Sequence, residues 1–126
     1  MHIAHVALWT NDLERLKSFY ETYFGAHAGE KYVNSRKRFE SYFLTFASGA
    51  RLELMRKPDL IERSDTPLAG YTHLAFSVGS KQQVDELTAQ LQATGCRVVD
   101  GPRYTGDGYY ESSVLDPDGN PIEITI

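Results

Sequence analysis

Two histidines and two glutamates carry a repeated pattern of metal-ligating chemistry: His5 and His73 stand 68 positions apart, and Glu53 and Glu123 stand 70 apart. Neutral imidazole and carboxylate oxygens together suit borderline divalent ions such as Ni²⁺, Zn²⁺, Co²⁺, Mn²⁺ or Fe²⁺, whereas Ca²⁺ calls for more oxygens. Four protein ligands on an octahedral ion leave positions for water or substrate. A strand histidine taken alone is ordinarily a hydrogen-bonded core residue, and a strand glutamate taken alone ordinarily meets solvent. The matched offsets are what give the set weight. His2 has the opposite parity to His5, and His27 has no counterpart in the second half, so neither belongs to it.

The elements that must position these residues are duplicated too. In "GARLELM" (49–55) Leu52 and Leu54 flank Glu53, and in "GNPIEITI" (119–126) Ile122 and Ile124 flank Glu123. Apolar residues at period two write one buried strand face, so each glutamate points to the other face. Each histidine lies in an earlier strand, "HIAHVALW" (2–9) or "YTHLAFSV" (71–78). Asn11 with Glu14 predicts a helix start after the first strand, continued by Leu13, Leu16, Tyr20, Tyr23 and Phe24 and ended by Gly25. Ser80 with Gln83 predicts the second start, continued by Val84, Leu87 and Leu91 and ended by Gly95. Strands are expected next at 26–33, 38–47 and 50–56, and again at 97–104, 109–115 and 121–126, with "TGDG" (105–108) and "DPDG" (116–119) as turns.

The expected class is therefore α+β: two βαβββ modules, about 1–56 and 71–126, forming mixed half-barrel sheets with helices on the outside. A linker at 57–70 joins them into a single domain covering 1–126. Pairing first and last strands within each sheet would bring one His and one Glu onto one face per module, and two modules face to face would gather all four.

Composition restricts the setting. The 126 residues with 41% hydrophobic content suit one domain with a proper core, and a net charge of −4 offers no general attraction to nucleic acid or an anionic membrane. "NSRKR" (34–38) is locally basic and reads as a solvated hairpin turn or as a dock for an anionic group. Cys96 is the only cysteine, which excludes an intrachain disulfide and points to a reducing, cytoplasmic setting. Its place between a helix end and "RVV" reads as core rather than as a catalytic thiol.

With "HVALWTNDLERLKSFYETYFG", "ARLEL", "THLAFSV" and "LDPDGNPIEI" in this duplicated layout, the chain resembles the vicinal oxygen chelate superfamily over nearly its whole length. That superfamily contains glyoxalases, bleomycin resistance proteins, extradiol dioxygenases, fosfomycin-modifying enzymes and methylmalonyl-CoA epimerase. Within it, the metal set of glyoxalase I (lactoylglutathione lyase) matches His5, Glu53, His73 and Glu123 position by position. A carboxylate at Glu53 sets the chain apart from the dioxygenase and fosfomycin patterns, which lack a ligand there, and from the glutamine of the epimerase.

The resemblance implies one divalent ion per site, Ni²⁺ or Zn²⁺ before Co²⁺, Mn²⁺ or Fe²⁺, and a small substrate with vicinal oxygens. A thiol hemithioacetal is the reference substrate class, and the reaction runs by proton abstraction to an enediolate. Glu123 is the first choice of base and Glu53 the carboxylate that returns or shares the proton, although their near-symmetry makes the roles exchangeable. A non-catalytic binding or resistance protein is the alternative, with a dioxygenase behind it. The resemblance further implies a homodimer whose sites are shared between chains, the two modules pairing within or between copies.

Where glyoxalase I carries a glutathione-binding arginine this chain has Trp9, and where an asparagine is common it has Lys57. Trp9 thus reads as an apolar or stacking wall. Parity places Ala7, Trp9, Met55, Ala75 and Ser77 on the ligand faces, while Tyr109, Tyr110 and Glu111 follow the "TGDG" turn and are expected to close the pocket mouth.

Overall fold

The structure, a computed structural model, describes residues 1–47, 49–61 and 69–126. It divides into two compact units, Met1–Glu62 and Arg63–Ile126. The class is α+β, with one helix and one open mixed sheet in each unit.

In the first unit, β1 (His5–Trp9) leads to α1 (Leu13–Phe24), followed by β2 (His27–Ala28), β3 (Tyr32–Asn34), β4 (Phe39–Thr45) and β5 (Arg51–Arg56). β1 pairs parallel with β5 and β5 antiparallel with β4, while β2 and β3 both pair with β4. Leu13, Leu16, Phe19 and Tyr20 of the helix are buried, as are Leu44, Leu52 and Leu54 of the sheet. Burial of this helix–sheet face is the main stabilising term of the unit.

The second unit repeats the plan with β6 (Leu74–Ser77), α2 (Lys81–Ala93), β7 (Val98–Tyr104), β8 (Tyr110–Leu115) and β9 (Pro121–Thr125). β6 pairs parallel with β9, and β9 and β8 continue antiparallel to the edge strand β7. Val84, Leu91, Val114, Ile122 and Ile124 are fully buried. Thr88 and Ser112 meet at 2.6 Å inside this core, and Thr88 also donates to the Val84 carbonyl, so burial leaves no hydroxyl stranded there.

Several expectations are corrected. The first helix is capped by Asp12, whose carboxylate accepts from the Arg15 amide at 3.0 Å, and not by Asn11. The expected strand 26–33 is two strands, because residues 29–31 insert one extra position between the Ala28–Leu44 and Tyr32–Ser41 pairs, a bulge that breaks the ladder. The histidine strands are shorter than expected, starting at His5 and Leu74, so His73 sits just ahead of its strand. Ser80 does cap the second helix, accepting from the Gln83 amide at 3.2 Å. Of the expected linker 57–70, residues 62–68 lie outside the described residues.

Candidate metal centre

Each sheet has one face closed by its helix and one left open, and the parity of the paired strands decides what stands on the open face. In β1 the exposed residues are His5, Ala7 and Trp9, with the intermediate Val6 and Leu8 on the other side. In β5, Leu52 and Leu54 are buried while Glu53 and Met55 remain partly accessible. Ala7 lies directly across from Glu53, with His5 one pleat earlier, and the His5 Nε2 to Glu53 Oε2 distance is 3.9 Å.

The second unit reproduces this cell. Ala75 lies directly across from Glu123, with His73 one pleat earlier, and His73 Nε2 stands 3.5 Å from Glu123 Oε2. The alanines matter because a large residue there would fill the space into which imidazole and carboxylate lean. Two donors bound at about 2.1 Å to one ion lie about 3.0 Å apart at the octahedral angle and about 3.4 Å apart at the tetrahedral one, so the 3.5 Å pair stands near that range and the 3.9 Å pair is wider than it. The histidines are 42% and 44% exposed and their glutamates 15% and 21%, which leaves the imidazole edges accessible while the carboxylates are largely covered. The donor chemistry of each pair fits half of a divalent site. Among the described residues, no group of three or more His, Cys, Asp or Glu side chains is gathered for a metal ion.

Surrounding groups orient the imidazoles. Thr72 Oγ1 lies 3.1 Å from His73 Nδ1; a proton on Nδ1 donated to that hydroxyl leaves the Nε2 lone pair facing Glu123. Phe43 meets the His5 ring edge-on with centroids 5.4 Å apart, and the Arg51 guanidinium lies 4.5 Å over the other part of this stack, on Phe43. The sequence reading missed Phe43, although the alternation Phe39, Ser41, Phe43 in β4 carries the signal that could have placed it.

Trp9 is 44% exposed on the open face, with Lys57 Nζ 4.6 Å above its ring and Phe39 edge-on at 6.2 Å. Met55 pairs with Trp9 across the strands, and Ala75 and Ser77 alternate on the open side of β6. On β8, Glu111 pairs with Thr125 and Ser113 with Glu123, so both face the same way as the ligand glutamate. Burial first, and then the neighbouring Glu123 charge, push the Glu111 carboxyl above its ordinary range, opposed by Arg103, whose Nη1 is 3.9 Å away. The Thr125 hydroxyl on this face is buried with no hydrogen-bond partner among the described residues.

Tyr110 does not join the expected mouth. It is 7% exposed on the helix side of β8 and donates its phenol to Asp85 of α2 at 2.6 Å, because neighbouring strand residues point to opposite faces. That hydrogen bond, then burial, push its phenol up to about 12. Tyr109, one residue earlier, is exposed. Cys96 is half-buried and its thiol is pushed up by burial, away from nucleophilic use.

Comparison with known proteins agrees with this architecture. The family model of the Glyoxalase/Bleomycin resistance protein/Dioxygenase superfamily matches residues 2–124. The metallothiol transferase FosB of Lysinibacillus sphaericus is 31% identical over 121 residues, covering 96% of this chain and 79% of that protein. The uncharacterized protein YqjT of Bacillus subtilis is 29% identical over 128 residues, covering 95% of this chain and 94% of YqjT. Among solved structures, the trypanothione-dependent glyoxalase I of Leishmania major superimposes with a TM-score of 0.80 at 23% identity, over 99% of this chain and 86% of that one, a likeness of fold. The chain belongs to the Glyoxalase/Bleomycin resistance protein/Dioxygenase superfamily.

Proposed function

We propose that this protein is a metal-dependent, glyoxalase I-like isomerase (lactoylglutathione lyase type) acting on a small substrate with two adjacent oxygens. In this reading His5, Glu53, His73 and Glu123 hold one divalent ion, Ni²⁺ or Zn²⁺ before Co²⁺, Mn²⁺ or Fe²⁺. The modules act as one domain in a cytoplasmic homodimer, with sites shared between chains. The observation that carries the reading is the recurrence, in both units, of a histidine one pleat before an alanine that faces a glutamate, with donor atoms 3.9 and 3.5 Å apart.

His5, Glu53, His73 and Glu123 would hold a divalent ion, which when bound would supply Lewis-acid charge to two adjacent substrate oxygens and so acidify the neighbouring C–H. Glu123 would take that proton and give it back at the neighbouring carbon, either itself or after passing it to Glu53, which would then return it. His5 and His73 would supply imidazole nitrogens to the ion, His73 held in place by its contact with Thr72. Trp9, Ala7, Met55 and Ser77 line the substrate space, and Glu111 and Tyr109 border it.

Turnover of the hemithioacetal of methylglyoxal and glutathione tests this, using protein stripped of metal and reloaded separately with Ni²⁺ and Zn²⁺. Metal-dependent isomerisation that falls about 10²–10⁴-fold in Glu123→Gln is the expected result. The 31% identity to a metallothiol transferase supports a second reading, thiol transfer to a small oxygenated substrate. Product analysis separates the two, since isomerisation yields a thioester and transfer yields a stable thiol adduct.

A further inference from the structure

The first unit carries a second concavity beyond the Trp9 end of its open face. It has a volume of about 240 Å³ and is bounded by the β3–β4 turn and the end of β5, with Asn34, Arg38, Phe39, Glu40, Arg56 and Lys57 in its wall. Pockets that enclose whole drug-sized ligands measure about 300–1,000 Å³, so this one has room for one end of a ligand.

Its charge runs against that of the chain. Between residues 31 and 59 lie seven of the thirteen Lys and Arg residues but three of the seventeen Asp and Glu residues. Within the wall, Arg56 donates to Glu40 at 3.1 Å, while Arg38 and Lys57 have no carboxylate partner among the described residues. Neither charge is neutralised by a carboxylate among the described residues, and Lys57 rests on the Trp9 ring. Arg38 sits at φ 51° in the turn, where the Asn34 side chain accepts from the Lys37 amide at 3.1 Å and so fixes the loop that carries it.

The pocket is continuous with the open face through Trp9, since Lys57 covers the indole ring and Phe39 meets its edge. Trp9 pairs with Met55, two residues beyond Glu53, and Lys57 follows two residues later. At about 3.3 Å per residue, the cationic end lies about 13 Å along the strand from Glu53.

We infer that this pocket is an oxyanion subsite that binds a doubly charged phosphate monoester group at the tail of an elongated ligand whose middle lies on Trp9. Arg38 and Lys57 provide the two charges, with Arg38 offering a planar fork of donors. The role of the bound group as a substrate tail rests on the function proposed for the open face; the binding itself does not.

Trp9 is the only tryptophan and touches Lys57 and Phe39 of the pocket wall, so its fluorescence reports changes there. Phenyl phosphate is titrated into metal-free protein, with phenylacetate as the singly charged analogue and potassium chloride at matched ionic strength as control. The expected result is a saturable change with phenyl phosphate, binding about tenfold weaker for phenylacetate, and none for chloride. Arg38→Gln, which does not touch the indole, weakens phenyl phosphate binding about tenfold, and Lys57→Gln does so independently. Equal binding of the two aromatic anions, or unchanged affinity in both folded variants, overturns the assignment. Because the titration is done without metal, it reads the subsite alone: phosphate binding by a protein whose metal-reloaded form gives no turnover upholds the subsite and counts against the isomerase, whereas turnover by the reloaded form without phosphate binding does the reverse.

Discussion

Glu123 and Glu53 are held by apolar neighbours, not by polar ones: the buried isoleucines and leucines on either side fix the strand face, and the glutamate takes the face that remains. The reaction proposed for Glu123 makes Glu123→Gln the sharpest single change. General bases contribute about 10²–10⁴-fold, so turnover is expected to fall by that much while circular dichroism stays that of the wild type. Tyr110 offers an independent check of the helix–sheet contact. Its phenol is raised from 10 to about 12 by Asp85 and burial, so the stability it contributes is fully present below pH 10 and is lost as pH rises toward 12. Wild-type stability should therefore fall more steeply over that window than that of Tyr110→Phe, measured by denaturant titration at each pH. Both glutamates were legible in the sequence because alternation with apolar residues leaves one choice of face. Tyr110 was misread because "YY" puts adjacent rings on opposite sides, and only the start of β8 decides which one turns inward.

At the level of elements, the repeat is easiest to read where the pattern is strictly local and hardest where two strands must agree. The Ser80 cap follows from its own sequence, but Asn11 and Asp12 are both good caps, and the choice between them depends on Thr10, buried and accepting from the Asp12 amide at 3.0 Å. The β2–β3 break and the two register shifts in β7 were hidden, because a bulge is a property of a pair of strands. Gly101 lies at the β7 irregularity with φ 79°, and a Cβ there would stand 2.5 Å from the Glu111 carbonyl oxygen. Gly101→Ala is expected to destabilise by about 1–3 kcal/mol and to disturb the β8 backbone at Glu111, read as a lowered Tm and shifted amide resonances in β8. Leu54→Ala, at a site with no exposure beside Glu53, should cost about 2–5 kcal/mol through the cavity it leaves. If the variant still folds, it should weaken metal binding as well, because the same strand aims the carboxylate.

For the whole molecule, the proposal requires two half-sites to act as one. Each unit presents one imidazole and one carboxylate, and two protein donors rarely retain a divalent ion against water. The homodimer predicted here should be detected by analytical ultracentrifugation, and metal should stabilise it. The superfamily was legible from the duplicated motifs, whereas the basic pocket beside Trp9 was not, since "NSRKR" is equally compatible with a solvated turn until Arg56 and Lys57 are seen to stand beside it. The most direct test of the central claim is calorimetric titration of Ni²⁺ and Zn²⁺ into the metal-free protein and into His5→Ala, Glu53→Gln, His73→Ala and Glu123→Gln. The account predicts one ion per chain, with affinity reduced at least about tenfold by each of the four changes, since even groups that only support a ligand typically contribute about 10–100-fold. Binding that survives both substitutions in either unit, or a wild-type protein that takes up neither ion, would contradict it.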